Sequence, residues 1–590
     1  MKIDAKIKLA GILVPVFALR HDDDLGIGDT VAMKKAIDFC ERHKIGVLQV
    51  LPINETGGDN SPYNAISSVA LDPAYLAFSP DLVPGLKQDD FNALTPTALL
   101  ADLRAGSVKY PQVKKLKSDL LRAAYANFNL LEIEKDSPQA KELKQFVAEN
   151  ARWLKPYALF RALMDEHNGN ACWTQWAAEL SSYEKAQKSS TASKPNRGLD
   201  CNFWSFVQWV AFKQWDDVKD YADKKGVQLM GDLPFGISRY SADVWAEQNL
   251  FDLDWSCGAP PETYFQGDVF VQKWGQNWGM PLYRWSQHKR ENYAWWRQRV
   301  AQVTRFFHYF RIDHVLGFFR VYAFPWIPER NHEFVDLTPK AAALLTKGRL
   351  PQFLPRSDEE EEDAEENCKE GEALLKVLME AAGTSGIVAE DLGMVPDYVR
   401  PLLQKIGIPG FAIPIFERDE EDRSFKPKET LPVLSLATYG THDHQPIASF
   451  YKALVQWWHG VDGADGQQGW LEVQRLMTFL GLEEKTPPIT FTKELHFVFM
   501  SCLLETPCWL ALLMITDLLG TTQRFNEPGM SGDYNWSQRL DRELSLYEKD
   551  PQFAPEIIKF AQLIEETKRA PKVLSTPGST GVSPASRSSK

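Results

Sequence analysis

Short apolar runs that each stop at a carboxylate constrain this chain more than any other feature. Val227-Gln228-Leu229-Met230-Gly231 leads into Asp232, Gly386-Ile387-Val388-Ala389 into Glu390, and Leu434-Ser435-Leu436-Ala437 towards Asp443. Ile45 to Leu51 and Trp509 to Ile515 have the same character, the second ending at Thr516-Asp517. Strands covered by helices read as continuous hydrophobic stretches rather than alternating ones, and that is the pattern of a buried parallel sheet. Charges recurring at the C-terminal ends of such strands are what the active face of a (β/α)8 barrel requires, because its chemistry sits on the loops that follow the strands. The competing reading is that each carboxylate merely caps the next helix, since Asp and Ser are good N-caps.

A chain of 590 residues with 44% hydrophobic and 12% aromatic content can bury a large core, and its 19 Trp are a rich supply of rings. Most belong to the core, but stacked Trp and Tyr also suit sugars, whose C–H faces are apolar while their hydroxyls need hydrogen bonds. A net charge of −13 argues against nucleic acid or an anionic membrane as partner, since both need a basic face. The cysteines at 40, 172, 201, 257, 368, 502 and 508 form no Cys-x-x-Cys pair. Such a scattered, odd set predicts reduced core thiols in a cytoplasmic protein. Leu9 to Leu19 follows Lys2, Lys6 and Lys8, yet Pro15 and the string Arg20-His21-Asp22-Asp23-Asp24 make it a first strand rather than a secretory signal. Glu505 and Pro507 divide Phe497 to Ile515 and exclude a membrane span there. No dedicated cluster of oxygen ligands suggests a metal, and no cofactor is implied.

The predicted fold class is α/β: a TIM barrel with helical insertions between strands and no separate C-terminal β domain. Residues 1–84 form the first part of the barrel. Residues 85–200 form a mainly helical insertion, with Lys114 to Asn127 and Ala140 to Arg161 at helical spacing, ending in a polar loop from Lys188 to Pro195. Residues 201–570 complete the barrel and carry a second insertion near 330–380, where Asp358 to Asp363 is a block of like charges expected in a solvated loop. Residues 571–590, rich in Ser, Pro and Gly, are predicted to be disordered.

Asn60-Ser61-Pro62-Tyr63, Gly231-Asp232-Leu233-Pro234, Ser241-Ala242-Asp243-Val244-Trp245, Gly275-Gln276-Asn277-Trp278-Gly279, Arg311-Ile312-Asp313-His314, Glu390-Asp391-Leu392-Gly393 and Gly440-Thr441-His442-Asp443 occur in that order. In these strings the chain resembles the amylomaltases, or 4-α-glucanotransferases, of glycoside hydrolase family 77, from about Gly11 to Leu540. The resemblance implies a retaining transglycosylase that moves segments of (1→4)-α-D-glucan. By motif position Asp313 would be the nucleophile, Glu390 the general acid/base and Asp443 the third carboxylate, on the hydroxyls of the distorted ring. Such chemistry pairs an ionised carboxylate with a protonated one roughly 5 Å away. Arg311 would keep Asp313 ionised, and Glu390 needs an environment that raises its pKa. Tyr63 and Trp278 would contact glucose rings, His314 and His442 would donate to sugar hydroxyls, and Asp232 would support Asp313 and Arg311 from a neighbouring strand. Maltose, maltodextrins or glycogen are the implied donors and acceptors.

Cys257 to Pro281 matches the family's long loop over the cleft, expected to exclude water and so favour transfer. Two departures bear on specificity. His444-Gln445-Pro446 stands where amylomaltases usually have Asn and a small polar residue, which bears on the acceptor. Gly258-Ala259-Pro260-Pro261, Gly275 to Trp278 and Arg311 to Phe319 look closer to the maltose-using disproportionating enzymes of plant cytosol, which leaves the donor open between maltose and longer maltodextrins. Two other functions compete: a hydrolytic α-glucosidase or amylase on a similar barrel, and a non-catalytic glycan-binding protein. The second would require the loss of Asp313, Glu390 or Asp443, and all three are present.

Overall fold

The computed structural model describes residues 3–193, 197–261, 268–529, 532 and 534–571. Eight parallel strands form one sheet: β1 Leu9–Leu13, β2 Val47–Gln49, β3 Gln228–Leu233, β4 Tyr309–Ile312, β5 Gly386–Ala389, β6 Gly410–Ala412, β7 Ser435–Ala437 and β8 Leu510–Met514. β1 to β5 pair in sequence order, as do β6 to β8, and β1 pairs with β8, which leaves β5 and β6 as the two edges. The Ala389 N–H donates to Pro409 O at 2.8 Å and joins the β5 edge to the start of β6, so the sheet closes into a barrel. The apolar runs are buried throughout, as in Gly386–Ala389 and Leu510–Met514, because helices cover their outer ends.

Helices Thr30–Arg42, Arg197–Lys225, Ala294–Phe306, Glu361–Ala382 and Val399–Ile406 follow β1 to β5. Between β6 and β7 only a short 3-10 turn, Lys428–Thr430, takes the place of a helix. After β8 come a long turn and helices Leu544–Tyr547 and Ala554–Glu566, with no further β domain among the described residues.

Several elements depart from expectation. The first strand ends at Leu13, and past Pro15 the chain winds into a turn at Val16–Ala18. Ala140 to Arg161 is not one helix but two, Pro138–Glu149 and Ala151–Glu166, broken at Asn150 with φ −102° and ψ 9°. Most of the expected polar loop after Lys188 is helical, since Tyr183–Ser193 is a helix; residues 194 and 195 lie outside the described residues. The acidic block opens the helix Glu361–Ala382 instead of a loop. Its Glu361, Glu362 and Asp363 fill the first turn, where the helix dipole favours negative charge. Asp358 leaves that set altogether, pairing with Arg320 at 2.6 Å. The tail expected to be disordered, 571–590, lies outside the described residues except for Pro571.

The segment expected to cover the cleft contributes two strands to a second sheet. Ser256–Ala259, Gln276–Asn277, Val321–Phe324 and Gln352–Leu354 form a small antiparallel sheet, and Phe270, Trp274, Phe324, Trp326 and Phe334 make a core of their own. Residues 262–267 of this segment lie outside the described residues.

The N-terminal end of the barrel is tied by one cation. Arg569 is fully buried and donates to the carbonyls of Leu9, Leu504, Thr506 and Cys508 at 2.6–3.0 Å. It thus fastens the starts of β1 and β8 to the last helix. Arg569→Ala leaves those buried acceptors unsatisfied and is expected to cost about 3 kcal/mol. Chemical denaturation measures it, and an unchanged midpoint would refute the role.

Candidate active site

Register alone brings the polar residues together. Asp232 on β3 is the direct neighbour of Arg311 on β4, and Arg311 in turn is the neighbour of Val388 on β5. Asp313 and Glu390 are the first residues past β4 and β5, so both carboxylates stand at the barrel's C-terminal end. Arg311 is buried at 3% exposure, with its guanidinium 6.0 Å from the Phe411 ring on β6. Its Nη1 donates to Asp232 Oδ2 at 2.7 Å. Its Nη2 lies 2.7 Å from Asp313 Oδ1 and 3.9 Å from Glu390 Oε2. Those two oxygens therefore cannot be further apart than the sum of the two distances.

The turn after β4 aims the second carboxylate. His314 adopts the left-handed conformation, φ 47°, which His tolerates better than most residues. The chain reverses there, and the His314 backbone N–H donates to Glu390 Oε2 at 2.7 Å, while the Leu392 N–H donates to Oε1 at 3.1 Å. The Trp278 ring stands edge to face on His314 at 5.0 Å. Burial lowers the His314 imidazole to about 4, so the ring is neutral near pH 7.

Tyr63 joins this cluster to the third carboxylate. Its hydroxyl donates to Asp232 Oδ2 at 2.7 Å, and its ring stacks on His442 at 4.9 Å. His442, whose pKa burial lowers, has Nε2 3.3 Å from Asp443 Oδ2. All nine residues singled out in the sequence are thus linked by contacts into one cluster. Three that were not singled out belong with them. Asn526 Nδ2 donates to Asp443 Oδ1 at 2.6 Å, Arg524 donates to the Asp443 carbonyl at 2.9 Å, and Trp536 packs on Tyr63 and His442. They sit on the long turn after β8, where the only signals were the string Arg524 to Gly529 and its Pro-Gly pair. Asp517, in the helical turn Ile515–Leu518 that follows β8, serves the capping role instead. Its Oδ1 accepts the Ile447 N–H at 2.7 Å, at the start of helix Ile447–Trp458.

One guanidinium faces the carboxylates of Asp232, Asp313 and Glu390, and burial raises the pKa of Asp232 and of Glu390 despite that cation. Burial first, then the Asp313 charge, raises Glu390 to about 7 against the pull of Arg311. Asp232 is pushed up for the same reasons, but its Oδ1 is buried without a partner, so a proton there has no acceptor. Glu390, at 8% exposure, is better placed to carry it. Among the described residues no group of three or more His, Cys, Asp or Glu is arranged to hold a metal ion, and no helix is long and apolar enough to cross a membrane.

The family model for 4-alpha-glucanotransferases, glycoside hydrolase family 77, matches residues 14–545. The chain belongs to that family. The 4-alpha-glucanotransferase of Chlamydia pneumoniae is 30% identical over 559 residues, covering 91% of this chain and 93% of that one. The rice 4-alpha-glucanotransferase DPE2 is 35% identical over 326 residues, which are 54% of this chain and 32% of the plant protein. Among solved structures, the amylomaltase of Corynebacterium glutamicum superposes with a TM-score of 0.74 at 20% identity, covering 94% of this chain and 75% of that one. An amylomaltase of Streptococcus agalactiae in complex with acarbose gives 0.72 at 21%, covering 95% and 100%. The family-77 barrel is therefore shared as a fold at low identity, while the glucanotransferase sequence match runs nearly the whole chain.

If Arg311 holds Glu390 down against burial, removing the cation must raise it further. Arg311→Met is expected to move the Glu390 midpoint up from about 7 by about 1–3 units. NMR of carboxyl-labelled protein reads the midpoint, and a fall would contradict this charge balance.

Proposed function

We propose that the protein transfers segments of (1→4)-α-D-glucan to the 4-hydroxyl of glucose or another glucan, with retention, through a covalent ester on Asp313. The observation that carries this reading is the single Arg311 nitrogen that contacts both Asp313 and Glu390. It bounds the separation of the two carboxylates near the lower limit of the roughly 6.5–9.5 Å that an inverting pair needs. The bound is reached only if the three atoms are collinear; any bend moves the pair towards the roughly 5–5.5 Å of retaining enzymes.

In the first step an Asp313 oxygen bonds to the anomeric carbon as the glycosidic C–O bond breaks. The Glu390 proton passes to the departing oxygen. In the second step the acceptor 4-hydroxyl oxygen attacks the same carbon, its proton returns to Glu390, and the bond to Asp313 breaks. Asp443, oriented by Asn526 and Arg524, accepts from ring hydroxyls whose hydrogen bonds strengthen as positive charge develops. Neutral His314 and His442 serve as donors or acceptors to hydroxyls without adding charge. Tyr63 and Trp278 offer ring faces, and Trp278, 36% exposed, is open to a ligand. Trp278, near the end of the segment expected to cover the site, packs against His314, which supports reading that segment as a cover that limits the access of water to the ester. Maltose, maltodextrins or glycogen fit as donor and acceptor.

With maltotriose alone, the wild type is expected to produce both shorter sugars and longer maltodextrins, and Asp313→Asn neither. Glucose and maltose with no longer product would replace transfer by hydrolysis. The first step needs Glu390 protonated, so kcat/KM should fall about tenfold per unit as pH rises above about 7. Glu390→Gln should remove that alkaline limb and slow the reaction by about 10²- to 10⁴-fold. A limb that persists in the variant would assign it to another group. Stability shares the sign: between the ordinary value of 4.5 and about 7 the folded state holds a proton the unfolded chain has lost, so stability falls as pH rises through that window.

A further inference from the structure

The two edges of the sheet, β5 and β6, meet beside Glu390, and the seam between them is not closed by a regular ladder. The Ala389 N–H donates to Pro409 O, and in a parallel ladder the next bond would run from the Phe411 N–H to the Ala389 carbonyl. The Phe411 N–H donates instead to Asp391 Oδ1 at 2.6 Å, so a carboxylate stands in for a rung of the sheet. Asp391 is buried, and Arg400 Nε on helix Val399–Ile406 donates to its Oδ2 at 3.1 Å. Only the turn Lys428–Thr430 separates β6 from β7, and a cavity of about 230 Å³ adjoins the seam, lined in part by Asp391, Arg400, Gln404, Glu417 and Lys426. The carboxylate therefore closes a junction that no following helix covers.

The bonds across the seam come from Ala389 and Asp391, on either side of Glu390. The Glu390 N–H itself donates to Ile312 O at 2.9 Å, so the backbone around the carboxyl is fastened to β4 on one side and to β6 on the other. A backbone rung would end the pairing at Ala389. The side chain of Asp391 carries it past Glu390, beyond the end of the strand. The same bond fixes Phe411, whose ring lies 6.0 Å from the Arg311 guanidinium, so both sides of the seam reach the site. Burial raises Asp391 to about 6 against the Phe411 N–H and Arg400. Near pH 7 it is therefore mostly ionised, and its charge opposes ionisation of Glu390.

We propose that Asp391 is a positioning residue for Glu390: by taking the Phe411 N–H across the β5–β6 seam, it holds the acid/base carboxyl in line with the departing oxygen. The inference rests on the glucan-transfer reading above, in which Glu390 protonates that oxygen. It is tested with two donors on the wild type, Glu390→Gln, Asp391→Ala and Asp391→Asn. Maltotriose has a leaving sugar that needs a proton, whereas an α-glucosyl fluoride needs little acid assistance. Asp391→Ala is expected to slow transfer from maltotriose by about 10- to 100-fold, the cost of a small misplacement of a reacting group, while fluoride release in the first turnover stays within about twofold of the wild type. Asp391→Asn keeps an oxygen for the Phe411 N–H and should recover part of the lost transfer. If Asp391→Ala does not fold, Gly410→Ala is read by the same pair of rates, since its methyl would stand 2.7–2.8 Å from the Asp391 oxygens and displace them. Transfer unchanged in the alanine variant, or both rates lowered alike, overturns the inference while Glu390→Gln still shows the selective loss. If the wild type makes no longer maltodextrins, or Glu390→Gln loses both rates alike, the transfer reading itself fails and this inference with it.

Discussion

The guanidinium of Arg311 is the constraint on which the site depends. A buried charge is costly unless paired and hydrogen-bonded, and breaking such a pair is strongly destabilising. Arg311 meets that condition only because β3, β4 and β5 are adjacent and parallel in the observed register. A shift of one residue on β3 would turn Asp232 to the other face and strand the cation. The same contacts that stabilise the cation hold Asp313 and Glu390 close to each other, so barrel register and the geometry proposed for catalysis are one problem with one solution. The imbalance of one cation against three carboxylates also explains why burial leaves Glu390 able to hold a proton near pH 7.

Around that centre, the barrel divides its work by position. At the N-terminal end, hydrogen bonds such as those of Arg569 to four carbonyls fix where the strands begin. At the C-terminal end, each loop delivers one chemical element. The turn after β4 gives Asp313 and the His314 N–H, the segment after β7 gives His442 and Asp443, and the long turn after β8 gives Asn526 and Arg524 to hold Asp443. Loops on a rigid scaffold carry the chemistry, in keeping with other barrels of this kind.

Much of this was legible in the sequence, and the reasons are physical. Runs such as Gly386–Ala389 and Leu510–Met514 are buried throughout and therefore show as unbroken apolar stretches. β6 escaped notice because Gly410–Ala412 is three residues long, with glycine first. That glycine leaves room for the Asp391 carboxylate, whose oxygens would lie 2.7 and 2.8 Å from any Cβ there. The acidic block misled because charge density argues for solvation, yet at a helix N-terminus the same charges stabilise. Asn526 and Arg524 could not be recognised from local pattern, since their role arises only where the β8 turn meets the β7 segment. Asp517 shows the opposite case, a carboxylate after an apolar run that caps a helix rather than joining the cluster.

The most direct test of the central claim, that Arg311 holds Asp313 and Glu390 as a nucleophile and acid/base pair, is to identify the residue that becomes glycosylated. Glu390→Gln is incubated with an α-glucosyl fluoride, whose leaving group needs little acid assistance, and the protein is digested and analysed by mass spectrometry. A glucosyl ester on the peptide containing Asp313 is the expected result. Unlabelled protein that releases product of inverted anomeric configuration, or an ester on any other carboxylate, would contradict it.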